Sequence, residues 1–271
     1  MTSIARQAKI DVLPFEFPLT WASDWGQDQF GLWMGLTVGE ARQGFRWIPP
    51  GRFMMGSPET EAERGSDEIE HRVTISEGYW LADTACTQAL WQAVMGDNQS
   101  HFQGAERPVE WVSWDQVGEF IERLNQTVAA LDVRLPTEAE WEYACRAGTR
   151  TPFHFGETID TDYVKFKGNH PYAGGKRGEY REQTVEVKAL PCNHWGLYQM
   201  HGNVWEWCSD WYGEYPREAV VDPKGPARGA ERVLRGGSWD VVGRFARSAY
   251  RYHFAPDGRR HLAGLRLARG Q

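Results

Sequence analysis

Cysteine is scarce in this sequence. Its 271 residues hold four, Cys86, Cys145, Cys192 and Cys208, and none follows Cys208. No two form a C-x-x-C pair, so neither a disulfide framework nor a zinc ribbon is expected, only reduced, buried or half-buried thiols. Long apolar runs are missing too, and with a mean hydropathy of −0.60 no segment is a candidate for a membrane span. Positive charge is in deficit: 30 Lys and Arg against 37 Asp and Glu give a net charge of −7, so no global field attracts nucleic acid. The first residues lack the apolar stretch of a signal peptide, and Asp11, Glu16, Asp24 and Asp28 do not suit a transit peptide, so the expected address is the cytoplasm. No linker-like stretch and no repeat of 20–50 residues is visible.

What the chain does have is 41% apolar residues, 14 Trp and 29 Gly. That is enough to bury a core, and it suggests loop-rich packing in which large rings replace regular elements. Caps mark three short helices. Thr87 precedes Gln88 to Met95, with Gly96 beyond. Ser113 with Gln116, and Thr137 with Glu140, form capping boxes. Short strands are expected at Phe45 to Ile48, Phe53 to Met55, Val73 to Ile75, Tyr79 to Ala82, Arg232 to Arg235 and Ala263 to Ala268. The first two, flanking Pro49-Pro50-Gly51-Arg52, read as a hairpin. Residues 149–193 show little periodicity. The sum is an α+β domain with much irregular backbone.

Five segments are more specific. They are Ile48 to Ser57 (IPPGRFMMGS), Arg134 to Ala144 (RLPTEAEWEYA), Gly196 to Tyr198, Gly202 to Trp207 (GNVWEW) and Arg235 to Trp239 (RGGSW). In this order they resemble the formylglycine-generating enzyme, or sulfatase-modifying factor, family across roughly residues 40–269. The resemblance implies a C-type-lectin-like fold for 40–271. Residues 1–39 then form an N-terminal extension packing on the domain through Trp21, Trp25 and Trp33. Trp141, Trp205, Trp207 and Trp239 read as core.

The resemblance also carries two chemical expectations. The Gly202–Trp207 segment binds calcium in the family, which implies Glu206 as side-chain ligand beside the carbonyls of Gly202 and Val204. Gln199 stands where Asn or Asp is usual. An arginine or backbone amides could equally neutralise a carboxylate placed among aromatic rings. The catalytic members hold copper between two cysteines just after the Gly-Gly-Ser-aromatic motif, because soft sulfur selects Cu(I). Direct counting puts Val241 and Ala246 at those positions, so no copper is expected and the reading leans away from an enzyme.

Residues 240–261 offer recognition chemistry instead. Asp240, Val241, Arg244, Phe245, Tyr250, Tyr252, His253 and Phe254 are the candidate ligand contacts, combining area, rigidity and directional hydrogen bonds. Arg247 and Arg251 could instead be tied to carboxylates inside the domain. The leading expectation is a non-catalytic member that binds a protein or small-molecule ligand, with no nucleic acid or membrane. One alternative is an oxidoreductase of the same family with cysteine-independent cofactor chemistry. Another is a diversified binding protein of a diversity-generating retroelement. Such proteins use this fold, with ligand residues between Gly-Gly-Ser-Trp and a closing strand similar to Gly264-Leu265-Arg266.

Overall fold

A computed structural model describes residues 13–270 of the chain. Residues 1–12 and 271, including the first part of the expected extension, lie outside the described residues. The three helices form where their caps place them. Helix α1 (Gln88–Met95) starts at Thr87, whose side chain accepts from the Leu90 amide at 3.2 Å, and stops at Gly96 with φ 84°. Helices α2 (Trp114–Thr127) and α3 (Glu138–Arg146) both carry complete capping boxes, from Ser113 and Thr137.

Three small sheets surround these helices. The first has five strands in the order β1 (Asp24–Asp28), β2 (Gly31–Val38), β3 (Ala41–Ile48), β6 (Tyr79–Ala82) and β12 (Ala268–Arg269). The second joins β4 (Gly51–Met55), β5 (His71–Ile75) and β8 (Val220–Val221). The third joins β10 (Tyr252–Phe254), β9 (Arg232–Arg235), β7 (Trp205–Trp211) and β11 (Ala263–Leu265). No named helix or strand falls within residues 149–193.

Two expectations change here. Strands β3 and β4 are not a hairpin: β3 pairs with β2 and β6, while β4 pairs with β5. A two-residue hairpin turn needs positive φ, and Pro49-Pro50 fixes φ near −65°. The prolines therefore hand the chain from one sheet to another. The stretch Ala263 to Ala268 also divides, β11 running parallel to β7 and β12 antiparallel to β6. Between them lies Arg266, wholly buried, whose guanidinium bonds Glu206 and the carbonyls of Ala82 and Tyr198. The GNVWEW segment, read as core, runs into β7, which sits between β9 and β11 in its sheet.

Residues Asp24–Asp28 and Gly31–Val38, before position 40, are strands of the first sheet. The boundary expected at 39/40 is the turn between β2 and β3, which pair from Trp33↔Arg46 to Val38↔Ala41. Trp21 is buried against Phe45, with ring centroids 5.5 Å apart, whereas Trp25 is exposed. The fold's interior is rich in tryptophan: Trp80, Trp91, Trp141 and Trp207 are fully buried, and Trp205 and Trp239 nearly so. A chain shortened to residues 40–271 should therefore lose cooperative unfolding in urea, since Phe45 and Met34's neighbours would face water. An unchanged midpoint in that chain would show the first strands to be an accessory.

Candidate functional site

The segment 240–261 begins beyond a backbone that only glycine can adopt. Gly236 and Gly237 have φ of 97° and 81°, and a Cβ on Gly237 would lie 3.0 Å from the Ala246 Cα. From there buried arginines fix the chain to the rest of the molecule. Arg247 spans Glu68 with Nη2–Oε1 and Nη1–Oε2 contacts of 2.7 Å, and Nη1 also donates to Glu61 at 2.5 Å. Arg251 holds both oxygens of Glu138, at 2.7 and 2.8 Å. Arg235 donates to Glu142 and to the carbonyls of Ser248 and Ala249. Burial pushes the Glu138 carboxyl up, but Arg251 and Arg235 outweigh it and hold Glu138 below its ordinary value. Thus Arg247 and Arg251 serve inside the domain.

Between these anchors the side chains turn outward. Gly243, Ala246, Ser248 and Ala249 are buried; Val241, Phe245, Tyr250, Tyr252 and Phe254 are half-buried; Arg244, Arg259 and Arg260 are exposed. The half-buried set packs its inner edges on the main core. Its rings form a row: Phe245 lies 4.8 Å from Tyr250, Tyr250 lies 5.9 Å from Trp205, and Trp205 stacks on Tyr252 at 5.0 Å. Tyr252 and Phe254, two apart on β10, share a strand face. His253 turns the other way, stacked on Tyr212 at 4.0 Å with Nδ1 2.6 Å from Glu231. The structure therefore brings together Arg244, Phe245, Tyr250, Tyr252 and Phe254 and sets His253 apart.

Asp240 stands at the other end of the segment, where the hydroxyl of Tyr180 donates to it and Lys167 lies 3.9 Å away. Tyr180 stacks on Trp239 at 6.3 Å and covers Lys165, a buried lysine whose Nζ has no hydrogen-bond partner among the described residues. Burial lowers the Lys165 ammonium to about 8. Sequence reasoning missed Tyr180 and Lys165, because they come from the irregular stretch 149–193, where no periodicity reports orientation. Trp205 reads only as core in the sequence; its contacts with both tyrosines also make it the floor of the row.

The residues that the resemblance assigns to calcium are arranged otherwise. Glu206 is 2% exposed, and its carboxylate receives Arg266 through two bonds of 2.8 Å and the Trp141 Nε1 at 2.7 Å. Gln199 accepts from Asn203 and donates to the Glu186 carbonyl at 2.8 Å. A guanidinium thus supplies the positive charge beside Glu206. Among the described residues no group of three His, Cys, Asp or Glu side chains could hold a metal. This donor set does not fit a hard cation, which takes six to eight oxygens.

The thiols lie largely inside the fold, where Cys145 Sγ contacts Ser248 Oγ at 3.7 Å. Cys86, Cys145 and Cys208 are buried, and burial raises all three, Cys145 to about 12. Val241 and Ala246 occupy the counted positions, half-buried and buried. No described helix is long and apolar enough to cross a membrane.

Residues 36–271 match the sulfatase-modifying factor enzyme 1-like domain. The chain belongs to this family. It is 32% identical to the formylglycine-generating enzyme of Bos taurus over 233 residues, covering 77% of this chain and 59% of that one. It is 36% identical to the serine/threonine-protein kinase pkn1 of Chlamydia caviae, covering 61% of this chain and 24% of the relative. It therefore spans less than two thirds of either. Among solved structures, Treponema denticola variable protein 1 is similar with a TM-score of 0.75 and 30% identity, covering 88% of this chain and 99% of that one. PvdO from Pseudomonas aeruginosa shares the fold, with a TM-score of 0.72 and 23% identity over 92% and 99%.

A chelator should accordingly leave the melting temperature of this family member unchanged, while Glu206→Gln should destabilise it by about 3–5 kcal/mol by stranding Arg266. Loss of stability in EDTA that calcium restores would contradict this.

Proposed function

We propose that this protein is a non-catalytic binding member of the sulfatase-modifying factor family that presents residues 240–261 to a protein or small-molecule ligand. The observation that carries the reading is the alternation within the segment. Buried anchors such as Arg247 and Arg251 recur between half-buried or exposed side chains such as Arg244, Phe245, Tyr250, Tyr252 and Phe254. A rigid backbone carrying wet, aromatic tips is what pre-organised recognition requires. The absence of any cysteine beyond Cys208 leaves the copper chemistry of formylglycine-generating enzymes without its sulfur ligands.

A second reading is favoured by the likeness to Treponema denticola variable protein 1, which spans nearly all of that chain. In it, the outward positions of the segment are a diversified set. The anchored backbone supports this, because Arg247 and Arg251 hold the segment through buried glutamates and not through its outward side chains. Sequencing the gene's surroundings tests it: a reverse transcriptase beside a near-identical template repeat is expected, and finding neither would refute diversification while leaving the binding surface.

For the main reading, the purified protein should take up no Cu(I) in competition with a strong chelator. It should also consume no oxygen with a cysteine-containing peptide. Stoichiometric Cu(I) with turnover of the thiol under air would overturn it.

A further inference from the structure

The aromatic row ends in cations. The Arg244 guanidinium lies 4.5 Å over the Phe245 ring at one end, and that of Arg260 lies 4.2 Å over the Phe254 ring at the other. Both side chains are exposed, and neither has a carboxylate partner among the described residues. This contrasts with Arg235, Arg247, Arg251 and Arg266, whose positive charges are fully met by buried glutamates. Arg259, beside Arg260, is exposed and likewise has no carboxylate partner among the described residues. The hydroxyls of Tyr250 and Tyr252 also lack hydrogen-bond partners among the described residues. Of the segment's own carboxylates, Asp240 is engaged by Tyr180 and Lys167, which leaves Asp257, exposed in the loop before Arg259. The row is thus an apolar floor flanked by hydrogen-bond donors, on a chain whose net charge is −7.

A guanidinium held over a ring without a carboxylate partner keeps N–H donors available for a carboxylate. The half-buried rings between the two arginines favour apolar side chains over water. We propose that this surface takes an acidic protein segment, with apolar side chains seated on Phe245, Tyr250, Tyr252 and Phe254 and flanking carboxylates received by Arg244 and Arg260. This rests on the reading of 240–261 as a binding surface and names the chemistry of its partner. A protein segment is favoured over a nucleic acid, because a long polyanion would meet the repulsion of the whole chain, whereas a short segment meets the local charge within a Debye length.

The test is selection from a random peptide library displayed on phage, against the full chain and two variants. One is Tyr252→Ala with Phe254→Ala. The other is Arg244→Glu with Arg260→Glu, which should keep the wild-type melting temperature because both side chains are exposed. Enriched peptides should be acidic with apolar centres, and should lose affinity roughly tenfold or more in high salt and in the charge-reversed variant. Neutral or basic peptides that need Tyr252 and Phe254 but ignore the charge reversal would overturn the acidic partner and leave the surface standing. Enrichment of nothing that depends on Tyr252 or Phe254 would overturn the surface itself. A mixed-sequence single-stranded oligonucleotide is titrated alongside. Binding abolished by the charge reversal, with no acidic peptide enriched, would assign a nucleic acid and refute the proposal.

Discussion

The structure depends on arginines of the C-terminal region clamped to glutamates of the middle and N-terminal regions. Arg235, Arg247, Arg251 and Arg266 are all essentially buried, and their partners Glu142, Glu68, Glu138 and Glu206 are buried with them. Three of these pairs, Arg247–Glu68, Arg251–Glu138 and Arg266–Glu206, are bidentate, which fixes orientation as well as distance. In a low-dielectric interior neither partner can leave without stranding the other. Such pairs contribute less to net stability than apolar packing of equal volume would. What they contribute is uniqueness of placement. In a fold with short strands and a 45-residue irregular stretch (149–193), placement is the harder problem.

That division of labour separates the fold from its surface. The tryptophans fill the interior and the glycines at 236 and 237 turn the backbone, while Arg247 and Arg251 hold the segment at two points four residues apart. Phe245, Tyr250, Tyr252 and Phe254 then rest on the core by one edge and meet solvent by the other. Val241 and Ala246 stand where direct counting after Gly-Gly-Ser-Trp puts the cysteine pair that the family resemblance implies for its catalytic members.

Much of this was legible in the sequence wherever a local rule governs. Thr87, Ser113 and Thr137 announced helices because N-caps act within three residues, and the five motifs fixed the family because their order is specific. The strands flanking Pro49-Pro50 resemble a hairpin by proximity in the chain, but the φ that proline imposes excludes the two-residue turn. Strands β1 and β2 were not anticipated, since Trp25, Trp33 and the glycines between them look like a loop until a partner strand is supplied. The partner of Glu206 depended on long-range pairing: Arg266 is 60 positions away, and nothing local distinguishes a buried guanidinium from a bound cation. Tyr180 and Lys165 were invisible for the same reason.

The most direct measurement is urea unfolding of two variants beside the wild-type chain. One replaces Arg244, Phe245, Tyr250, Tyr252 and Phe254 together with serine; the other is Arg247→Met alone. If buried clamps place the segment and its outward side chains do not, the fivefold variant unfolds cooperatively with most of its stability, while Arg247→Met loses about 3–5 kcal/mol. A fivefold variant that fails to fold, together with an Arg247→Met chain as stable as the wild type, would contradict the account.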